Sequence, residues 1–334
     1  MELYLDSADI QEIKRVAEYG LIAGVTTTPT FMHRHGITDV DAAIVELAQI
    51  VDVLQIEALG SNADEIVAEA YRQEALGLDR EKTVYKIPVS LEGVKACKIL
   101  TSQGFKVNVH LVYTLQQAYM AMNAGATYVC PLVGRLQDQG HDALALVAQC
   151  VDAVNYYGYN TKIMFSSVRN SEHVRNAINL GVHTVTVPWK IMKELTENNF
   201  TTVGTKEFEA HTRLMTVKVS QALNGKNPIA KAGETIADCL VKMTAGGFGA
   251  VTIVDDAQHA IGIFTDGDLR RLIASGGSIG DTLSSLDLKK PLSIDSDALL
   301  FDAQKIFSDK KVDELVVTQN DKVIGMLDIQ QLIG

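Results

Sequence analysis

Lys86 stands in "TVYKIPVS" (83–90), a run that otherwise reads as a buried strand. Val84, Ile87 and Val89 are strand formers and Pro88 closes the run. An ammonium buried without a partner is costly, so this lysine must be paired, reach outward, or be lowered in pKa for chemistry. Other reactive side chains stand at the ends of similar runs: Asp6, Thr26 to Thr28, Glu57, Asn108 with His110, Arg135, and Ser167 with Arg169. Carboxylates and imidazoles move protons, guanidinium forks and hydroxyls grip phosphate, and a neutral lysine attacks carbonyls. Taken singly, each has a bland explanation, such as a helix cap or a solvated strand residue. Their joint placement at strand ends points to one rim that is acidic, basic and phosphate-binding together. A free lysine, with a pKa near ~10.4, is not nucleophilic at neutral pH, and apolar walls would have to depress that value by roughly 3 to 5 units. The alternative is a structural pair with Glu57 or Asp6. The eight histidines show no HExxH spacing, and no metal is expected.

The elements that must position these groups are legible from residue 1 to about 190. Eight short apolar runs, at 3–7, 24–27, 53–59, 83–89, 107–113, 127–133, 162–167 and 183–189, alternate with amphipathic stretches. In "SADIQEIKRVAEYG" (7–20), Ser7 is a candidate helix cap and Gly20 a stop. Eight strands with intervening helices predict an α/β fold, a closed parallel (β/α)8 TIM barrel over residues 1–218, with a doubly wound sheet as the alternative. Near "VSQALNGKNP" (219–228) the pattern changes, and 225–334 holds an internal repeat. "TIADCLVKMTAGGFGAVTIVDDAQHAIGIFTDGDLRRLI" matches "LLFDAQKIFSDKKVDELVVTQNDKVIGMLDIQQLI". Each unit reads helix, strand, turn, strand, helix. Neither buries its sheet alone, so the two should pack as one domain.

Composition narrows the function classes. A length of 334 residues and 47% hydrophobic content allow two or three cores. A formal charge of −11 without a basic cluster argues against nucleic acid, while leaving room for anionic small molecules. Cys97, Cys130, Cys150 and Cys239 are scattered and read as reduced thiols. With no signal-like h-region and no apolar run long enough to span a bilayer, a cytoplasmic location and no membrane partner are expected.

"MELYLDSADI", "LIAGVTTTPT", "TVYKIPVS", "GATYVCPLVGRL" and "SSVRN" together resemble the short transaldolase family, including fructose-6-phosphate aldolases, over about residues 1 to 215. The resemblance implies that Lys86 forms a Schiff base with a ketose phosphate, without a catalytic cofactor. It makes Asp6 the acid next to the cleaved bond and Glu57 a proton carrier during imine formation. Asn108 would hydrogen-bond the donor, with Thr26 and Thr28 also at the substrate. Ser167, Arg169 and Arg135 would grip phosphate. Glu57 follows the transaldolase pattern, where fructose-6-phosphate aldolases tend to carry glutamine, so transfer of a dihydroxyacetone unit between ketose and aldose phosphates is preferred to simple aldol cleavage. The chain departs from the family at Thr28, usually asparagine, at His110, usually threonine, and at Leu132, often aromatic. His110 is expected to act as a direct proton shuttle or in substrate binding, with space-filling as the alternative. These departures also motivate a rival reading, a catalytically silent sugar-phosphate sensor.

The repeat resembles a tandem CBS pair, and "GIFTDGDLRRLI" resembles the module that ends bacterial arabinose-5-phosphate isomerases. By that resemblance Thr265 would face a nucleotide phosphate and Asp268 the ribose hydroxyls. Asp328 and Gln331 occupy the matching positions of the second repeat, where an acid would repel phosphate. At most one adenine-nucleotide site (AMP, ADP or ATP) follows, or a purely structural or dimerising module. Both halves resemble proteins that associate, so a homo-oligomer is expected.

Overall fold

The computed structural model describes residues 1–332 and divides into two compact units, Met1–Glu197 and Asn198–Gly334. In the first, β1 (Glu2–Asp6), β2 (Gly24–Thr26), β3 (Leu54–Glu57), β4 (Thr83–Pro88), β5 (Lys106–Val112), β6 (Tyr128–Pro131), β7 (Lys162–Phe165) and β8 (Thr184–Val187) follow one another around a closed barrel. All neighbours are parallel, and β1 closes on β8 through pairs such as Tyr4 with Thr186. Helices cross back between successive strands, as the alternating sequence requires.

Side-chain alternation divides each strand between two environments. Outward residues such as Leu5, Ile56, Tyr85, Ile87, Val109 and Phe165 are buried in the main core. Each apolar side chain buried there contributes about 1.5–3 kcal/mol relative to exposure. Inward residues build a second, smaller cluster within the barrel, from Tyr4, Val84, Tyr128, Cys130, Leu132 and Met164. The first helix starts later than its sequence implies: Asp9, not Ser7, caps Ile10–Ala17 by accepting from Gln11 and Glu12 amides. Ser7 is turned to other work, donating to Glu12 and accepting the Asp9 amide. Gly20 takes φ +65°, a conformation that favours glycine, just beyond the helix end.

The second unit opens with helix Asn199–Thr216, so its compact boundary lies ahead of the residue-218 boundary read from the sequence. Leu214 of that helix packs with Leu300, Phe307 and Leu332, which ties the helix to the second repeat. The repeats form two three-stranded sheets. The first contains β9 (Ile229–Ala230), β10 (Ala250–Val254) and β11 (Ala260–Thr265) in the order β11-β10-β9. The second contains β12 (Ser293–Asp295), β13 (Glu314–Gln319) and β14 (Lys322–Asp328) in the order β12-β13-β14. In each, the hairpin is antiparallel and a short leading strand, not visible in the sequence pattern, pairs parallel to its first strand. The repeats share apolar clusters, Phe248 and Ala250 with Met326, and Val254 with Val316 and Val323. No helix among the described residues is long and apolar enough to cross a membrane.

Candidate active site

At the C-terminal ends of the barrel strands lies a cavity of about 710 Å³. Inward residues two apart on one strand occupy successive layers, separated by about 6–7 Å along the strand. The lower layer is a floor. Tyr4 Oη and Tyr128 Oη lie 3.1 Å apart, and Asn108 Nδ2 donates to Gln55 Oε1 at 2.7 Å. The upper members, Asp6, Glu57, Lys86, His110 and Thr186, line the cavity.

Lys86 reaches this cavity and is only 5% exposed. Its surroundings differ from the purely apolar walls expected from the sequence. Nζ lies 3.0 Å from Glu57 Oε1 and donates to the Thr27 carbonyl at 2.8 Å. The reason is register: Glu57 on β3 pairs directly with Lys86 on β4, bringing both inward side chains together. The other carboxylate oxygen, Oε2, lies 2.9 Å from His110 Nε2. That approach is close but poorly aligned, and both atoms lack a hydrogen bond. Glu57 thus stands between the amine and the imidazole.

The titration directions follow from these contacts. Burial works to raise the Glu57 pKa, but the Lys86 charge and His110 together hold it below the ordinary carboxylate range. Burial pushes His110 below the usual imidazole range despite the opposing Glu57 charge, with Lys86 and Arg135 pushing the same way as burial. His110 is therefore neutral at neutral pH. Asp6 is raised by burial, against the opposing Lys86 charge and a 2.9 Å hydrogen bond donated by Thr26. Two carboxylates in one cavity are pushed apart in this way, the arrangement that separates acid from base roles.

The rim beyond β6 and β7 carries two guanidinium groups and a hydroxyl. Arg135, Ser167 and Arg169 line the cavity. Ser167 adopts φ +60°, unusual for a residue with a side chain. Gly134 makes the loop approach possible: a Cβ there would stand 2.1 Å from Ser167 O and 2.8 Å from Arg169 Nε. Arg169 pairs with Asp138 at 2.9 Å, and Arg135 Nη1 donates to the Tyr113 hydroxyl at 3.3 Å.

Of the residues singled out from the sequence, Asp6, Thr26, Thr28, Glu57, Lys86, His110, Arg135, Ser167 and Arg169 share this one cavity. Thr28 also caps helix Pro29–Arg34, accepting the Phe31 amide. Asn108 is placed differently. It is fully buried in the floor, one inward position below His110, and is absent from the lining. Its Oδ1 and Gln55 Nε2 have no hydrogen-bond partner. Sequence reading missed Thr186, whose hydroxyl meets that of Thr26, and Arg34, which also lines the cavity. Alternation along "HTVTVPW" could have found Thr186; Arg34 lies on a helix, beyond any strand-end signal.

In the second unit, Thr265 and Asp268 are engaged with each other. Asp268 Oδ2 accepts from the Thr265 amide at 3.0 Å and hydroxyl at 2.7 Å, and Thr265 caps helix Asp266–Ala274. Gln331 accepts the Asp328 amide at 2.8 Å, the same box with different chemistry. Asp268, Arg271 and Lys289 line a smaller cavity of about 350 Å³, of which Thr265 is not part. Among the described residues no cluster of potential metal ligands occurs, and all four cysteines are buried and free.

Two known families match the chain. The family described as Transaldolase/Fructose-6-phosphate aldolase matches residues 3–232, and the CBS domain matches 219–275 and 283–334. A "Probable transaldolase" from Streptococcus equi subsp. zooepidemicus is 37% identical over 209 residues, 62% of this chain and 96% of the relative. One from Streptococcus pyogenes serotype M2 is 39% identical over the same lengths. Among solved structures, a CBS domain protein from Pyrobaculum aerophilum complexed with AMP aligns at 13% identity, TM-score 0.32, covering 34% of this chain and 89% of that one.

Proposed function

Because this chain belongs to the transaldolase/fructose-6-phosphate aldolase family, we propose that its barrel transfers a dihydroxyacetone unit between phosphorylated sugars through a Schiff base on Lys86. The observation that carries the reading is Lys86 and His110 gathered on the two oxygens of Glu57 at 3.0 and 2.9 Å, in a cavity whose rim bears Arg135 and Arg169.

Each group has a role. Glu57 accepts the Lys86 ammonium proton, freeing the amine to add to the ketose carbonyl carbon. The carbonyl oxygen leaves as water after receiving two protons, one from the attached amine nitrogen and one that His110 relays from Glu57, and a protonated imine remains. Asp6 takes the proton from the hydroxyl next to the scissile bond. That C–C bond then breaks, its electron pair passing to the protonated imine nitrogen, and the aldehyde departs. Addition of an acceptor aldehyde reverses these steps. Arg135, Arg169 and Ser167 hold the phosphate, and Thr26 and Thr28 the hydroxylated end. Asn108 supports the floor through Gln55 and meets the donor only if its amide turns upward.

Borohydride reduction with candidate ketoses, followed by mass spectrometry, tests the proposal. An adduct is expected on Lys86, absent in Lys86→Met. Ligand binding with neither adduct nor C–C cleavage across a broad donor and acceptor panel would instead make the barrel a sugar-phosphate sensor. For the CBS pair, we propose one adenine-nucleotide site at the first repeat, beside Asp268, in a module like that of arabinose-5-phosphate isomerases. Titrating the activity with AMP, ADP and ATP tests it; a flat response would assign the module a structural role. Association into a homo-oligomer and action on soluble cytoplasmic metabolites complete the proposal.

A further inference from the structure

We infer that Leu111 is a positioning residue. Its left-handed backbone makes a β-bulge near the end of β5, which brings a second side chain into the cavity beside His110 and carries Tyr113 to Arg135. The inference goes beyond the Schiff-base reading and rests on it only for the assignment of Arg135 to phosphate.

The register shows the extra residue. β5 pairs with β6 at Val109 with Val129 and next at Val112 with Pro131, three steps along one strand against two along the other. Bulges are rare between parallel strands, and they are over-represented beside active sites. On its other edge β5 stays regular through His110, which pairs with Pro88 and accepts the Val89 amide at 3.0 Å. The insertion therefore falls at His110 and Leu111, on the β6 side only.

Side-chain direction shows what the insertion does. Val107 and Val109 face the main core, so regular alternation would send Leu111 outward and Val112 inward. The reverse occurs. Val112 is fully buried in the main core, and Leu111 lines the cavity with His110. There Leu111 packs against the inner cluster that holds Cys130, Leu132 and Met164. Tyr113 is shifted by the same step. It too packs against the inner cluster, and its hydroxyl accepts from Arg135 Nη1 at 3.3 Å. Without the extra residue, alternation would turn Tyr113 away from the rim.

The backbone carries the cost of this arrangement. Leu111 has φ +57°, and among the described residues it is the only residue other than glycine with positive φ inside a strand. A left-handed bulge position ordinarily falls to glycine, and a bulky side chain there is strained unless its surroundings hold it. The barrel's other residue of this kind, Ser167, lines the same cavity. Packing and backbone roles make opposite predictions at residue 111. Packing prefers valine to glycine, whereas a left-handed backbone prefers glycine to the β-branched valine.

The test compares the full-length wild type with Leu111→Gly, Leu111→Val and Tyr113→Phe. Leu111→Gly should unfold at a higher temperature than Leu111→Val. Calorimetry then measures binding of glucitol 6-phosphate against glucitol, neither of which has a carbonyl for Lys86. The wild type and Leu111→Gly should share one preference for the phosphate to within about 2-fold. Leu111→Val and Tyr113→Phe should each lose about 5-fold or more of it, as expected when a charged group loses its hydrogen-bonded support. Leu111→Val melting at or above Leu111→Gly, or keeping the full phosphate preference, would overturn the inference. So would a wild type without that preference, or failure of Leu111→Gly to fold. Borohydride trapping on Lys86 keeps the two readings separate. An adduct alongside the reversed melting order retains the Schiff base and removes the role of Leu111, and the expected melting order and phosphate preference without an adduct do the opposite.

Discussion

Replacing His110 with glutamine removes the proposed proton relay while keeping a donor of similar reach near Glu57. The residue is 8% exposed and its Nε2 stands 2.9 Å from the buried Glu57 Oε2, so no bulk water competes for that oxygen. General acid–base groups contribute roughly 10²–10⁴ in rate. His110→Gln should therefore lower kcat about 10²-fold, with KM changed less than about 3-fold, because the rim arginines are untouched. The pH profile gives the sharper readout. Burial holds His110 below the usual imidazole range, so the acid limb of kcat/KM should fall below about pH 6.5 in the wild type and disappear in the variant. Stability carries the same sign. As pH drops through about 6.5 the unfolded imidazole takes up a proton that the folded one resists, so the unfolded state binds more protons and stability declines until the folded group titrates. Steady-state kinetics from pH 5 to 8, paired with thermal unfolding, measure both. A His110→Gln enzyme with full kcat and an unchanged acid limb would refute the relay and leave His110 as packing.

Two other variants probe the remaining corners of the cavity. Asp6 is raised by burial, so ionising it costs the folded state and stability falls as pH rises from about 3.8 through the folded value. Asp6→Asn should abolish C–C cleavage yet raise Tm, by about 2–4 °C for each kcal/mol recovered, in calorimetry at pH 7; a lower Tm would mean that Lys86 and Thr26 more than offset the burial. Gly134→Ala puts a methyl 2.1 Å from Ser167 O, so one loop must move. KM for phosphorylated donors should rise about 10-fold or more while unphosphorylated dihydroxyacetone is handled as before, and equal effects on both would place the strain elsewhere.

The barrel was legible because its strands are short apolar runs with regular spacing, and all eight appear within a residue or two of their expected positions. The same period that reveals a strand also explains the errors at the site. Asn108 and His110 look equivalent in "VNVHLVY", both polar and both inward, yet they lie a layer apart; only the upper one meets the cavity. Depth along the barrel axis depends on register between strands, which a single strand's sequence does not encode. Ser7 likewise has the chemistry of a cap but lost the position to Asp9, whose carboxylate serves two amides. In the second unit the repeat was visible as repeated sequence, whereas the leading strands β9 and β12, two and three residues long, fall below any periodic signal. Arg34 escaped because it lies on a helix after β2, away from any strand end.

The position of Glu57 ties these observations into one argument. A carboxylate beside a lysine is the ordinary way to stabilise a buried amine, so the 3.0 Å contact alone fits a structural pair as well as a resting nucleophile. The second oxygen breaks that symmetry. A purely structural pair would satisfy both oxygens, whereas here Oε2 faces His110 Nε2 without an aligned hydrogen bond, leaving two buried polar atoms unsatisfied within 2.9 Å of each other. Burial of unpaired polar atoms costs about 1–3 kcal/mol each. The cost falls beside a cavity that opens to a cationic rim, and Asp6, also raised by burial, shares that cavity. Stability alone would favour an apolar residue at 110 or a better-aligned one. An arrangement that is suboptimal at rest, with Nε2 already 2.9 Å from Glu57 Oε2, is what the proposed proton relay requires when a carbonyl oxygen arrives over Lys86.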